Sequence, residues 1–344
     1  MTDESHSGAD TSSLPYDAFL LVSFGGPEGS DDVLPFLENV VRGKQVPPER
    51  LLEVARHYEL FGGVSPINAQ NRALLVALVN EFNAHGPALP VYWGNRNWHP
   101  LLPEVVGQMA DDGIRHALAL VTSAFGSYPG CCQYLQDIAR ARAEVGAAAP
   151  RIDKLRLFYN HPGFIEAMAD RVWDALEAIP AERRADARLI YTAHSIPVSM
   201  ACDCSYEKQL GEACGLVSQR LGRAEWRLVY QNRSGPPGEP WLEPDVRDYL
   251  RALAAHGKPR DVVLVPLGFL CEHMEIVYDL DVEAHKLCEE LGMNLVRAGV
   301  VGNHPRFVRM IRELVVERIE HNSARPALGA QGPAPDQCQS PTAE

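Results

Sequence analysis

The chain has 344 residues, and 32 Lys and Arg against 45 Asp and Glu give a net charge of -13. That length can bury a substantial core in two lobes, while the acidic balance argues against a nucleic-acid partner, which needs a basic footprint. No apolar run approaches the roughly 18 residues of a spanning helix, and "MTDESHSGADTSSLPYD" lacks the basic-then-apolar order of a signal peptide, so a cytoplasmic protein is expected.

Residues 1–16 are polar, and residues 322–344, rich in Ala, Pro, Gly and Gln, read as a second disordered tail. Between them short apolar runs alternate with longer amphipathic ones. The expected strands are "AFLLVSF", "LPVYWG", "HALALVTS", "KLRLFYN", "RLIYTAH", "RLVYQ", "VVLVPLG" and "NLVRAG". Stretches such as "NRALLVALVNEFNAHG" and "HPGFIEAMADRVWDALEAI" read as the helices between them. This alternation predicts an α/β protein of two doubly wound lobes, each with a parallel sheet of about four strands. The lobes are expected at 17–155 and 156–321, with the last helix free to pack back on the first lobe. In such sheets ligands bind beyond the carboxyl ends of the strands.

Five strand ends carry unusual chemistry. The first gives "SFGGPEG", a tight Gly-Gly-Pro turn after Phe24 that is weak evidence alone and is no phosphate loop. The second gives "YWGNRNWHP", where Arg96 and Trp98 suit a flat, anionic ligand. The fifth gives "YTAHSIP" and ends on His194; a lone histidine there is more often structural than catalytic, and no G-x-S-x-G elbow supports a hydrolase. The sixth leads into "NRSGPPGEPWLEPD", which carries Trp241.

The seventh leads into "VPLGFLCEHMEIVYDLDVEAH", where Glu275, Asp279 and Glu283 recur every four residues. On a helix this stacks three carboxylates along one face, at a cost of roughly 0.2–0.5 kcal/mol per pair. If the fifth and seventh strands are neighbours, His194 faces Glu275 across a cleft. A carboxylate row leading away then suits a divalent cation, and imidazole suits iron or zinc. Steps of about 6 Å make the row a conduit, too long for one coordination sphere.

These motifs together resemble the ferrochelatases, which insert Fe²⁺ into a porphyrin. The likeness runs from about Asp17 to Glu317 through "LLVSFGGPEG", "HYELFGGVSPIN", "YWGNRNWHP", "YTAHSIP", "SGPPGEPWLEPDV" and "LGFLCEHMEIVYDLD", in family order. It is nearest the soluble actinobacterial-type branch, which acts on coproporphyrin III. The resemblance implies His194 as the active-site base or metal ligand, Glu275 as its partner, and Asp279 and Glu283 as the outward iron guide. It implies Phe24 packing on the macrocycle, and propionate anchors at Arg42, Ser65 and Tyr134. His57 stands where some relatives carry another arginine, and Glu272 and Cys271 depart from the usual residues before "H-x-E". Arg96, Trp241 and Phe269 complete the expected porphyrin walls.

Protoporphyrin IX is the alternative substrate; a cobalt or nickel chelatase and a non-catalytic tetrapyrrole-binding protein are the rivals. A monomer is expected, with transient contact to neighbouring haem-pathway enzymes. Eight cysteines in such a chain point to thiols or metal ligands more than to disulfides. Some ferrochelatases hold a [2Fe–2S] cluster; here the resemblance leaves room for one on Cys202, Cys204, Cys214 and one of Cys271, Cys131 or Cys132, with plain reduced thiols as the other reading.

Overall fold

The computed structural model describes residues 14–44, 46–233, 238–257 and 259–336. One parallel sheet contains β1 (Ala18–Ser23), β2 (Val91–Asn95), β3 (His116–Val121) and β4 (Arg151–Lys154) in the order β2-β1-β3-β4. The other contains β5 (Arg188–His194), β6 (Trp226–Gln231), β7 (Asp261–Val265) and β8 (Asn294–Arg297) in the order β6-β5-β7-β8.

Every residue of β1 and β7 is buried, as expected of central parallel strands covered on both faces. With the first sheet come α1 (Ser30–Val40), α2 (Pro48–Glu59), α3 (Ile67–His85), α4 (Leu102–Asp111) and α5 (Cys132–Val145), of which α1 and α2 pack on each other. With the second sheet come α6 (Pro162–Glu177), α7 (Val198–Cys202), α8 (Tyr206–Arg220) and α9 (Val246–Ala255). They are followed by α10 (Met274–Ile276), a π-helix (Val277–Ala284), α11 (His285–Leu291) and α12 (Pro305–Ile319).

One apolar cluster joins the two sheets. It takes Phe19, Leu21 and Leu120 from the first, and Tyr191, Val263 and Val265 from the second. Each such large side chain contributes on the order of 1.5–3 kcal/mol when fully buried. α12 packs on both α6 and α3, so the last helix ties back to the first sheet. The strand ends of the two sheets are thereby held around a shared cleft.

The structure corrects two expectations. The fourth strand is Arg151–Lys154, not the apolar run beginning at Lys154. The residues after it, Leu155 to Asn160, are buried because they cross between the sheets through the common core. Apolar character there reports burial, and periodicity cannot tell a buried crossing from a buried strand.

The second correction is at the carboxyl end. Residues up to 336 form an irregular but anchored strap. Asn160 Nδ2 donates to the carbonyls of Leu328 and Gly332, and Leu328 N–H donates back to Asn160. Arg156 forms a buried bidentate pair with Glu317 and also donates to Pro326 O. Composition predicts disorder from the lack of apolar area, yet polar anchors hold this segment. At the other end Tyr16 is buried, and its hydroxyl donates to Asp153 (3.1 Å).

Candidate active site

β5 pairs directly with β7, so the chain segments leaving these two strands emerge side by side. The loop after β7 crosses the end of β5 at Gly268, whose N–H donates to Thr192 O (3.0 Å). A Cβ on Gly268 would lie 2.6 Å from Ala193 Cβ and 2.7 Å from its Cα, so only glycine permits this crossing. The crossing delivers Phe269, His273 and Glu275 to the face where β5 ends.

His194 closes β5, and its Nε2 lies 3.8 Å from Glu275 Oε2. His273 Nδ1 lies 4.0 Å from the same oxygen. Three backbone contacts fix the arrangement. Tyr206 donates to His194 O (3.1 Å), His194 Nδ1 contacts Ser195 O, and the buried Gln231 at the end of β6 donates to Glu275 O (2.7 Å). Burial holds His273 below the usual imidazole range; Glu275 opposes this shift and His194 adds to it. His273 and Gln231 join the site without having been expected there. The H-x-E spacing was the available signal for the first, and nothing in the sequence marks the second.

A cleft of about 470 Å³ opens beside this pair. Phe24, Trp241 and Phe269 line it, together with Ser65, Arg96 and Tyr134. Gly25, at φ +81°, makes the turn that carries the chain away from Phe24. Arg96 is held on one wall: Nε lies 2.5 Å from Asp137 Oδ2, and the guanidinium stacks 4.8 Å from the Tyr134 ring centroid and 5.8 Å from that of Phe24. Burial pushes the Tyr134 hydroxyl up, against the lowering effect of Arg96 and Thr122. Trp241 reaches the cleft because its loop pairs with the chain after His194, where Leu242 N–H donates to Ile196 O (3.0 Å). The residues 234–237 of that loop lie outside the described residues.

Other expected residues fall elsewhere. Arg42 is exposed and bonded to Asn39 outside the cleft lining, whereas Lys44, two residues on, lines it. His57 stacks on Tyr278, with ring centroids 3.7 Å apart, and is not part of the lining. Asp279 and Glu283 also lie beyond the cleft lining, on the π-helix that continues from Glu275. Burial, then Glu275 and Glu283, pushes Asp279 up to about 8. Among the described residues no three His, Cys, Asp or Glu side chains are grouped to hold a metal, so the acidic row is not a single coordination sphere.

The cysteines named for a cluster lie in different surroundings. Cys202 is exposed, Cys214 is fully buried on α8, and Cys271 donates to Asn71 Oδ1 (3.3 Å). Burial raises the Cys204 and Cys214 thiols and pushes Cys271 up to about 12. Cys132 is a free thiol, Cys131 is disulfide-bonded, and Cys338 lies outside the described residues.

Residues 16–319 match the family model described as Ferrochelatase. The chain belongs to the ferrochelatase family. It is 55% identical to a ferrochelatase of Rhodopirellula baltica, over 94% of this chain and 92% of that one. It is 49% identical to the coproporphyrin III ferrochelatases of Streptomyces griseus (94% of this chain, 92% of that one) and Mycolicibacterium smegmatis (94% of each). Among solved structures, SirB from Bacillus subtilis with Fe³⁺ is similar in fold, with a TM-score of 0.56 at 14% identity, covering 91% of this chain and 99% of that one. The ferrochelatase is therefore a metal-inserting enzyme of porphyrin and haem biosynthesis, with Fe²⁺ as substrate. No helix among the described residues is long and apolar enough to cross a membrane.

Proposed function

We propose that this ferrochelatase inserts Fe²⁺ into coproporphyrin III to give coprohaem, at the cleft beside His194 and Glu275. Metallation converts a porphyrin and Fe²⁺ into the iron complex and two protons. An imidazole whose ordinary pKa is near 6.5 suits the acceptance of a pyrrole proton at neutral pH. His194 takes that proton, and Glu275, 3.8 Å away, stabilises the imidazolium and passes the proton on. The walls of Phe24, Trp241 and Phe269 hold the macrocycle out of plane, exposing a nitrogen lone pair. Propionate contacts offset that strain, typically about 1–5 kcal/mol. Asp279 and Glu283 lead along the π-helix towards Glu275, and the row draws the cation more strongly as Asp279 ionises with rising pH.

The observation that carries the substrate choice is the polar character of the cleft rim. Ser65, Ser123, Ser127, Gln133 and Lys44 line it, which suits four propionates better than two propionates and two vinyls. The names of the Streptomyces and Mycolicibacterium relatives support the same reading. Anaerobic assays of the purified protein with coproporphyrin III and protoporphyrin IX test it. The expected result is a higher kcat/KM for coproporphyrin III; equal or better turnover of protoporphyrin IX overturns the preference.

A further inference from the structure

The first turns of α8 touch both walls of the cleft. Tyr206, at its first residue, donates to the backbone carbonyl of His194 on the second sheet (3.1 Å). One turn on, buried Gln209 accepts the Gly126 N–H in a bond of 2.6 Å, and Gly126 belongs to the loop after β3 of the first sheet. That loop supplies Ser123, Phe125, Ser127, Pro129 and Gly130 to the cleft and leads into α5, which carries Tyr134. A Cβ on Gly126 would lie 3.2 Å from both Gln209 Oε1 and Leu157 Cδ1, so the loop is seated tightly against α8.

The same helix is braced by a second segment. Glu212 accepts the N–H groups of Ala330 (2.7 Å) and Gln331 (3.1 Å), and Gln331 Nε2 donates to Lys208 O (3.3 Å). The carboxyl-terminal strap thus holds α8 in place within one turn of the loop contact.

We propose that α8 is a clamp that sets the relative position of the two cleft walls, with Gln209 the positioning residue for the porphyrin-facing loop 123–130 and Tyr206 the positioning residue for His194. Gln209 is absent from the cleft lining, so it acts only through the loop. The inference rests on reading the cleft as the metallation site.

The test is steady-state metallation with porphyrin and Fe²⁺ varied separately. Gln209→Met keeps the side-chain length and removes the acceptor, leaving a buried N–H unpaired. It should raise the KM for porphyrin about tenfold and leave the KM for Fe²⁺ unchanged. Gln209→Glu keeps an acceptor oxygen and should restore the porphyrin KM. Tyr206→Phe should lower kcat with the porphyrin KM unchanged. Gly126→Ala, which pushes on the same contact from the opposite side, should raise the porphyrin KM as Gln209→Met does, and serves if the latter does not fold. Wild-type porphyrin KM in Gln209→Met or Gly126→Ala, or an equal change in both KM values, overturns the clamp. His194→Ala separates the failures: full turnover there removes the cleft reading and the clamp with it. Lost turnover in that variant, with Gln209→Met unchanged, removes the clamp alone.

Discussion

Arg247 Nη1 lies 3.0 Å from Glu283 Oε2, so the outermost carboxylate of the acidic row is already paired with a cation. The middle member, Asp279, has no such partner at hydrogen-bond range among the described residues and carries the electrostatic cost of the row. Burial first, then Glu275 and Glu283, pushes it up to about 8, while Arg247 pulls the other way.

At neutral pH Asp279 is therefore mostly protonated, and the row gains a charge as pH rises through about 8. The KM for Fe²⁺ should fall over that range under anaerobic conditions, and Asp279→Asn should flatten the fall. Stability has the opposite slope. Folding raises this pKa from an ordinary value near 3.8, so the favourable contribution is full below that pH and is lost progressively up to about 8. Asp279→Asn should thus unfold at higher urea than the wild type at pH 8.5, and the difference should shrink towards pH 4. A pH-independent difference would contradict this assignment.

The Arg96–Asp137 pair predicts a second outcome. Both side chains are only 9% exposed, so removing one partner strands a buried charge. Asp137→Ala should cost about 3–5 kcal/mol in urea unfolding, and the double variant Arg96→Met with Asp137→Ala should recover most of it. Additive losses would show that the two charges do not depend on each other.

Gly268 gives a third. A methyl group at this position collides with Ala193 at the end of β5, where the neighbouring backbone belongs to a central strand and cannot move away freely. Gly268→Ala should cost about 1–3 kcal/mol and lower turnover through displacement of Phe269, His273 and Glu275. Normal stability with normal turnover would show that the loop accommodates the methyl group elsewhere.

Much of this architecture is legible in the residues, for definite reasons. Central parallel strands are continuous apolar runs, so β1, β5 and β7 stand out, and strand-end chemistry picks His194 and Glu275 before any coordinates. Limits appear where burial and hydrogen bonding part company. The run from Leu155 is as apolar as a strand but crosses the core instead. The carboxylate spacing fits an α-helix, yet residues Val277–Ala284 form a π-helix, an irregularity often found at functional sites. Arg42 and Lys44 are two residues apart on one turn, and only the folded path decides which of them lines the cleft. Asp137, Gln231 and Gln209 act through contacts made by distant segments, which no local pattern encodes.

The central claim is that His194 and Glu275 act together on the porphyrin. Single-turnover metallation of bound coproporphyrin III by Fe²⁺, under anaerobic conditions, tests it most directly in His194→Ala, Glu275→Gln and the double variant. Loss of a positioned base should slow the step by about 10²–10⁴-fold in His194→Ala. Glu275→Gln should also be slow, and the double variant should be little worse than His194→Ala, since the carboxylate acts through the imidazole. Wild-type rates in His194→Ala with porphyrin bound, or fully multiplicative losses in the double variant, would contradict the account.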